Sequence, residues 1–203
     1  MILNENDSKR LLEKILSYSK AEAVTAVIYG QNTYNIRFAL NSASTNGFAD
    51  GLSLSITSDF GKRSGSVSLN KFDDESVKAA VAKSEEAAKR SPEGKEHMPP
   101  LEPQVYGGSA NYSEFTEQHT AEARAAIVSN VIEQSSGSGV NAAGYLEDDT
   151  SFTAMMNSKG LFAYNKGTLS SFSSTIRNEL YETPLGNEIM FSNLCFCLSF
   201  TPT

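Results

Sequence analysis

Apolar and polar residues follow two different periods along the first part of the chain. A helical spacing of apolar residues over 7–19 predicts an amphipathic helix. Its apolar residues share one face: Leu11, Leu12, Ile15 and Leu16. Apolar and polar residues then alternate over 24–29 and 34–40, which predicts two antiparallel strands joined by a turn at 30–32. A polar loop is expected to follow over 41–51.

The alternation resumes after this loop and ends in a second helix. Residues 52–57 and 64–69 predict a hairpin, with its turn at 59–62, where glycine can adopt a positive φ. Asp73 is expected to cap the following helix, and Pro92 is expected to end it. Acidic residues open this helix and basic residues close it, which is the charge order that complements the helix dipole.

The second half of the chain repeats the order of a helix followed by strands. A third helix is predicted over 116–135. Its expected buried face consists of Ala121, Ala125, Val128 and Ile132. Turn residues at Asp148-Asp149, 157–160 and 165–167 are expected to separate four short antiparallel strands. These strands are predicted over 140–147, 151–156, 161–164 and 168–177.

This order of elements predicts an α+β fold made of two helix-plus-antiparallel-sheet units. The first unit is expected over 1–92 and the second over 116–179. A Pro/Gly-rich linker over 93–115 would join them. Residues 180–203 form an atypical tail in which the alternation is lost.

The net charge and the composition of the chain argue against two classes of binding partner, nucleic acids and membranes. The net charge of −7 and a pI near 4.9 argue against nucleic-acid binding, because phosphate groups require a basic face. We expect no membrane role, because no apolar stretch approaches the roughly 18 residues that a spanning helix needs. The two cysteines, Cys195 and Cys197, are too close together to cross-link a fold, which favours a reducing, cytoplasmic location.

The sequence predicts no catalytic residue and no metal ligand. His97 and His119 are not spaced as a metal-binding pair, so surface or capping roles are expected for both. No serine lies on a nucleophile elbow, and 61–65 lacks the ending of a phosphate-binding loop, so a hairpin turn is the better interpretation. The acidic pairs Asp73-Asp74 and Asp148-Asp149 are interpreted as a helix cap and a turn.

One polar group is a candidate for substrate binding. Arg37 points from the polar face of a predicted strand, and Asn41, Ser42 and Ser44 follow it. A polar sheet face with accessible backbone could hold an extended peptide, with Arg37 binding a carboxylate. The alternative is a solvated face with one surface salt bridge.

Two stretches of the sequence resemble a known family. The first contains Gly51-Leu52-Ser53-Leu54, a Gly61 turn, Gly65-Ser66-Val67, and Asp74-Glu75 at the start of a small-residue helix. The second reads AAGYLEDDTSFTAMMNSKGLFAYNKGTLSSFSSTIRN. In this order they are similar to the amino-terminal region of the TldD/PmbA family, whose members were once described as modulators of DNA gyrase. The resemblance extends over about 11–178.

The resemblance implies a cytoplasmic subunit of a homodimer or heterodimer that matures or degrades peptides. In TldD-like members, zinc is held by a carboxy-terminal His-Glu-x-x-x-His helix and a cysteine, which have no match here. We therefore expect an amino-terminal, non-metal-binding part, inactive alone, that contributes subunit contacts and substrate passage. The tail over 180–203 suggests a truncated or altered reading frame. The alternative is a free-standing peptide-binding or protein-interaction module.

Overall fold

A computed structural model describes residues 1–107 and 111–177, together with the backbone of 192–196. The chain forms α1 (Glu5–Leu16), β1 (Ala23–Ala39), β2 (Ser42–Phe60), β3 (Arg63–Leu69), α2 (Asp74–Arg90), α3 (Glu114–Glu117), α4 (Ala121–Gly137), β4 (Asn141–Asn157), β5 (Phe162–Arg177) and β6 (Ser192–Phe196). The strands form one sheet in the order β3-β2-β1-β4-β5-β6. The predicted α+β class is confirmed. No helix in the described residues is both long enough and apolar enough to span a bilayer.

The chain divides into two compact units, and the core of the first is formed by two helices and three strands. Unit 1 comprises Met1–Gln31, Asp50–Ser109 and Ser151–Lys166. Helices α1 and α2 contribute Leu12, Ile15, Val77 and Val81 to its core. The strands contribute Val24, Ala26, Ile28, Leu54, Ile56, Phe152 and Ala154. These strand residues occupy alternate positions, as expected for a sheet with one face against helices.

Unit 2 has a smaller core of its own. It comprises Asn32–Ala49, Ala110–Thr150 and Gly167–Thr203. Its buried apolar residues are Ile36, Phe38, Val128, Ala142 and Leu146. Strands β1, β2, β4 and β5 each contribute residues to both units, so the units are not successive along the chain. The boundaries predicted at residues 92 and 116 stay predictions.

The turn predicted at 30–32 and the loop predicted over 41–51 are wrong, because β1 and β2 are long strands that run through them. Gly30 lies inside β1, where a Cβ atom would come within less than 3.0 Å of the Phe152 ring. Glycine at this position therefore permits close packing of an aromatic ring on the strand.

The turns predicted at Asp148-Asp149 and at 165–167 are also wrong, because β4 and β5 run through them without a break. Gly167 lies within β5, and a Cβ atom there would meet the Asn111 side chain at 2.8 Å. The predicted tail lies outside the described residues, except for the backbone of β6. That strand pairs antiparallel with β5, with Ser192 opposite Ile176.

The hairpin turns at Gly61 and Gly160 and the cap of α2 are confirmed. Both glycines have positive φ, which is strained for residues with a side chain. The Asp73 carboxylate accepts a hydrogen bond from the Ser76 amide at 2.9 Å. This bond lowers the pKa of Asp73, since it favours the ionised carboxylate.

The helix predicted over 116–135 is instead a short helix, α3, followed by α4. Thr120 caps α4 by accepting a hydrogen bond from the Ala123 amide at 3.2 Å. The buried positions of α4 are Arg124, Val128 and Ser135, whereas Ala121 and Ala125 are exposed. The predicted face was rotated because it was drawn through apolar residues only, whereas two of the three buried residues are polar.

The turn between β1 and β2 stores backbone strain that a substitution should release. Leu40 and Asn41 have φ values of 50° and 53°, and the Leu40 side chain is 76% exposed. A leucine gains no burial there and bears the steric cost of a left-handed backbone. Leu40→Gly is expected to raise the free energy of unfolding by about 0.5–1 kcal/mol in urea denaturation. Leu40→Val, which is β-branched, should lower it, and equal stabilities for the two variants would contradict the strain.

Candidate functional site

The predicted substrate-binding residues lie at the β1–β2 hairpin of unit 2. Arg37 and Ser44 lie on these neighbouring strands, and the Ser44 hydroxyl donates a hydrogen bond to the Arg37 carbonyl oxygen at 3.1 Å. Ser42 is exposed at the start of β2. The structure thus brings Arg37 and Ser44 together, although the Ser44 hydroxyl is already hydrogen-bonded to the backbone of Arg37.

Asn41 uses its side chain to hold the turn against the start of β4. Its amide nitrogen donates to the Val140 carbonyl at 2.7 Å. Its amide oxygen accepts from the Ala142 backbone N–H, also at 2.7 Å. An incoming peptide would have to displace these bonds, so the substrate-binding role of Asn41 stays a prediction that the fold does not favour.

Arg37 is exposed and lies over an aromatic ring. Its guanidinium is 5.0 Å from the centroid of the Tyr145 ring. No carboxylate of the described residues lies within 4 Å of its guanidinium nitrogens, so the surface salt bridge of the alternative interpretation is not formed. The Tyr145 hydroxyl donates to the Glu147 carboxylate on the same strand. Arg37 therefore presents an exposed cation that is supported by an aromatic ring.

This arrangement changes the ionisation of Tyr145. The hydrogen bond to Glu147 raises the pKa of Tyr145 to about 12, with further contributions from burial and from the charge of Glu147. The bond is therefore retained up to and beyond the ordinary phenol pKa and is lost as the pH rises through about 12. We expect a phenolate transition near pH 12 in 295 nm absorbance, absent in Tyr145→Phe and shifted downward in Glu147→Gln. A difference spectrum between wild type and Tyr145→Phe centred near the ordinary pKa would contradict this.

A second polar group, also in unit 2, is buried and was not predicted. It consists of His119, Arg124, Asp148 and Ser170, and it lies around the Asp148 carboxylate. His119 Nδ1 lies 2.8 Å from Asp148 Oδ2, and Arg124 Nη1 lies 3.4 Å from the same oxygen. The Ser170 hydroxyl donates to Asp148 Oδ1 at 2.6 Å. The side chains of Arg124 and Asp148 are only 4% and 3% exposed. We call this group the Asp148 network.

The local sequence explains why these side chains converge. His119 directly precedes the cap of α4, and Arg124 lies one turn into that helix. Arg124 Nη1 also donates to the His119 carbonyl at 2.6 Å, and its guanidinium lies 4.6 Å from the centroid of the Tyr34 ring. The network therefore fixes the start of α4 against β4 and β5.

The turn predicted at Asp148-Asp149 is wrong, because both residues lie within β4. The surface or capping role predicted for His119 is also wrong, because its side chain is only 12% exposed and contacts Asp148. A signal was present in the sequence. Asp148 occupies the same alternate positions as Leu146 and Phe152, which are buried. A carboxylate on the apolar face of a strand requires a buried partner, and Arg124 shares a helical face with Val128.

The geometry of the Asp148 network does not suit nucleophilic catalysis. A reactive serine donates to a base such as histidine, which a carboxylate then orients. Here the Ser170 hydroxyl donates to the carboxylate itself. The other Asp148 carboxylate oxygen is also already paired with the Arg124 guanidinium. The arrangement is that of a structural ion pair.

The residues that the structure describes do not provide the ligands of a zinc site of the kind that the family resemblance implies. Among the described side chains, no group of three or more His, Cys, Asp and Glu residues could hold a metal ion. At the buried pair of His119 and Asp148, the Arg124 guanidinium contacts the same carboxylate oxygen and would repel a cation. His97 instead lies 3.3 Å from the Ser64 hydroxyl. Cys197 lies outside the described residues.

Comparison with known proteins identifies the fold. No protein-family model and no curated protein matches the sequence. TldE from Thermococcus kodakarensis is 14% identical with a TM-score of 0.77, over 93% of this chain and 42% of that one. A protein from Bacteroides thetaiotaomicron described as a modulator of DNA gyrase is 15% identical with a TM-score of 0.78, over 95% of this chain and 45% of that one.

A second protein described as a modulator of DNA gyrase, from Thermotoga maritima, is 11% identical with a TM-score of 0.73. It is matched over 84% of this chain and 40% of its own length. The chain thus spans less than half the length of each of these structures. The resemblance found in the sequence is confirmed in the fold, and the chain has the fold found in TldE and the DNA gyrase modulators of the TldD/PmbA type.

Proposed function

We propose that this chain is the amino-terminal, non-metal-binding part of a TldD/PmbA-type peptidase subunit that acts in the cytoplasm. The observation that carries the proposal is the agreement in fold over 93% to 95% of this chain with structures more than twice as long. The order of the sequence motifs supports the same assignment, since they resemble the amino-terminal region of that family.

Within such a subunit, the chain would contribute subunit contacts and part of the passage for a peptide substrate. The hydrolytic chemistry would come from zinc bound by a carboxy-terminal region of a TldD-like subunit. Two features support this division of roles. The described residues gather no set of metal ligands, and their buried His–Asp pair is neutralised by Arg124. The partner would be a second TldD/PmbA-type subunit, in a homodimer or heterodimer.

The test is co-expression of the tagged chain with a TldD-type subunit from the same organism. We expect the two to co-purify, and the chain alone to contain no stoichiometric zinc and to show no chelator-sensitive hydrolysis of an unfolded polypeptide. Zinc in the purified chain together with chelator-sensitive cleavage would overturn the proposal. Failure to co-purify, with a monodisperse and folded chain, would favour a free-standing interaction module instead.

The role of Arg37 can be tested in the same assembly. Wild type is expected to bind a fluorescein-labelled ten-residue peptide with a free carboxy terminus about tenfold more tightly than its amidated form, because a charge-assisted bond to Arg37 is lost on amidation. Arg37→Ala should remove this preference, whereas Arg10→Ala, at an exposed arginine outside the β1–β2 hairpin, should keep it. An unchanged preference in Arg37→Ala would exclude Arg37 as the carboxylate-binding residue.

A further inference from the structure

Strand β3 forms an open edge of the sheet in unit 1. It pairs with β2 on one side and is the first strand in the sheet order. An edge strand presents backbone N–H and C=O groups that another extended segment can bind. Which groups are available follows from the turn that joins β2 to β3.

The turn contains two residues, Gly61 and Lys62, and Phe60 lies opposite Arg63. In a two-residue hairpin the residues that flank the turn are hydrogen-bonded to each other, and bonded and non-bonded pairs then alternate. The backbone groups of Gly65, Val67 and Leu69 therefore face β2. Those of the serines between them, Ser64, Ser66 and Ser68, face away from the sheet.

One end of this edge is already covered. The Gly94 amide donates to the Lys62 carbonyl at 2.8 Å, and His97 lies against the Ser64 hydroxyl. Within the described residues, no contact of this kind is found at the outward backbone groups of Ser66 and Ser68. The open part of the edge is therefore centred on these two serines.

A groove of about 370 Å³ lies beside the open part of the edge, between β3 and α2. It is lined by Val67, Ser68, Leu69, Asn70 and Lys71 from β3 and the residues after it, and by Ser76, Ala79, Ala80 and Lys83 from α2. Its apolar lining can receive a side chain of an added strand, because alternate residues of such a strand point toward the helix side of the sheet. We call this feature the β3 groove.

The charge of the β3 groove is opposite to that of the chain. Lys71 and Lys83 are its charged lining residues, and no acidic residue lines it, although the chain carries a net charge of −7. Neither lysine has a carboxylate within 4 Å among the described residues. The nearby Asp73 carboxylate is occupied by the Ser76 amide. The charge of Lys71 acts on Asp73 and contributes to lowering the pKa of that carboxyl group, whereas Lys83 has no such acidic neighbour in the groove lining. An acidic ligand would therefore gain an attraction to Lys83 and a weaker one to Lys71.

We propose that the β3 groove binds an extended acidic segment of a partner protein, which pairs with the backbone of Ser66 and Ser68 as an added strand. One apolar side chain of the segment enters the groove, and acidic side chains on the same face contact Lys71 and Lys83. Pairing of β3 with β3 of a second copy is disfavoured, because it would bring two lysine-lined grooves together. This docking site goes beyond the proposed function and does not depend on it.

The charge requirement is tested with fluorescein-labelled ten-residue peptides that carry Glu-Thr-Val-Thr-Glu at their centre, and with matched peptides that carry Lys-Thr-Val-Thr-Lys. Fluorescence anisotropy at low ionic strength is expected to detect binding of the glutamate peptide only. Lys83→Glu should weaken it by about tenfold or more, because an attraction becomes a repulsion. Lys95→Glu, an exposed change outside the groove, is the matched control and should have little effect.

The backbone requirement is tested with Ser66→Pro and its control Ser66→Ala. Proline removes the outward N–H of Ser66, and an edge strand can accept it because this N–H makes no ladder bond. We expect Ser66→Pro to lose binding and Ser66→Ala to keep it. In wild type, the glutamate peptide should slow amide hydrogen exchange at Ser66 and Ser68, while the amides of Val67 and Leu69 are already protected by β2.

Circular dichroism confirms that each variant is folded before its binding is compared. The proposal is overturned if the glutamate peptide does not bind at millimolar concentration, or if both peptides bind equally. It is also overturned if Lys83→Glu binds as wild type does, or if exchange at Ser66 and Ser68 is unchanged by the peptide. Dimerisation of the free chain that Ser66→Pro abolishes would assign the edge to a second copy and would likewise exclude an acidic partner.

Discussion

Replacing Gly65 with alanine is expected to lower the free energy of unfolding by about 3 kcal/mol, the upper part of the usual range for overpacking a core. Gly65 lies in β3 directly beneath α2, and a Cβ atom there would come within less than 3.0 Å of backbone atoms of Ser84, Ala87 and Ala88. Helix backbone cannot rotate away as a side chain can. The whole helix would have to move outward and would lose contact between Val77, Val81 and the sheet.

Urea denaturation followed by circular dichroism measures this loss. Gly51→Ala is the matched control, because a Cβ atom at Gly51 would have nothing within 4 Å. We expect it to leave stability nearly unchanged. If Gly65→Ala were as stable as Gly51→Ala, the close approach of α2 to β3 would be wrong. The groove between these two elements would then also have a different shape.

The glycines show how far local sequence reasoning can predict this fold. Gly61 and Gly160 were correctly predicted as turns, and both require a positive φ. Gly30 was interpreted in the same way, yet it lies inside a strand because Phe152 packs against its missing side chain. Residues 30 and 152 are distant in sequence, so nothing near Gly30 distinguishes a turn from a close tertiary contact.

The candidate site shows the same limit for polar residues. The exposed position of Arg37 on a strand followed from alternation alone, and the structure agrees. The use of the Asn41 amide to bind the start of β4 could not be predicted, because its partners lie about 100 residues further along the chain. The buried face predicted for α4 contained only apolar residues and therefore missed Arg124. Only the pairing of α4 with β4 shows that Asp148 compensates its charge.

The Asp148 network is expected to give the largest effect of any polar substitution in the described part of the chain. Asp148→Asn keeps the size of the side chain and removes the charge that compensates Arg124, whose side chain is 4% exposed. Removal of one partner of a buried ion pair typically costs about 3–5 kcal/mol, because the other charge stays buried without compensation. Asp50→Asn is the matched control. It breaks an ion pair with the amino terminus that is exposed on both sides, so the expected loss is about 1 kcal/mol or less.

The double variant Asp148→Leu with Arg124→Leu separates the cost of an uncompensated charge from the contribution of the pair itself. Replacing both members of a buried pair with apolar residues is often nearly neutral, since two desolvation costs disappear together with the attraction. We therefore expect the double variant to be more stable than either Asp148→Leu or Arg124→Leu alone. Urea denaturation of all four proteins closes a double-mutant cycle. Additive losses would show that Arg124 and Asp148 do not interact, and the assignment of this network as the structural anchor of α4 would then be wrong.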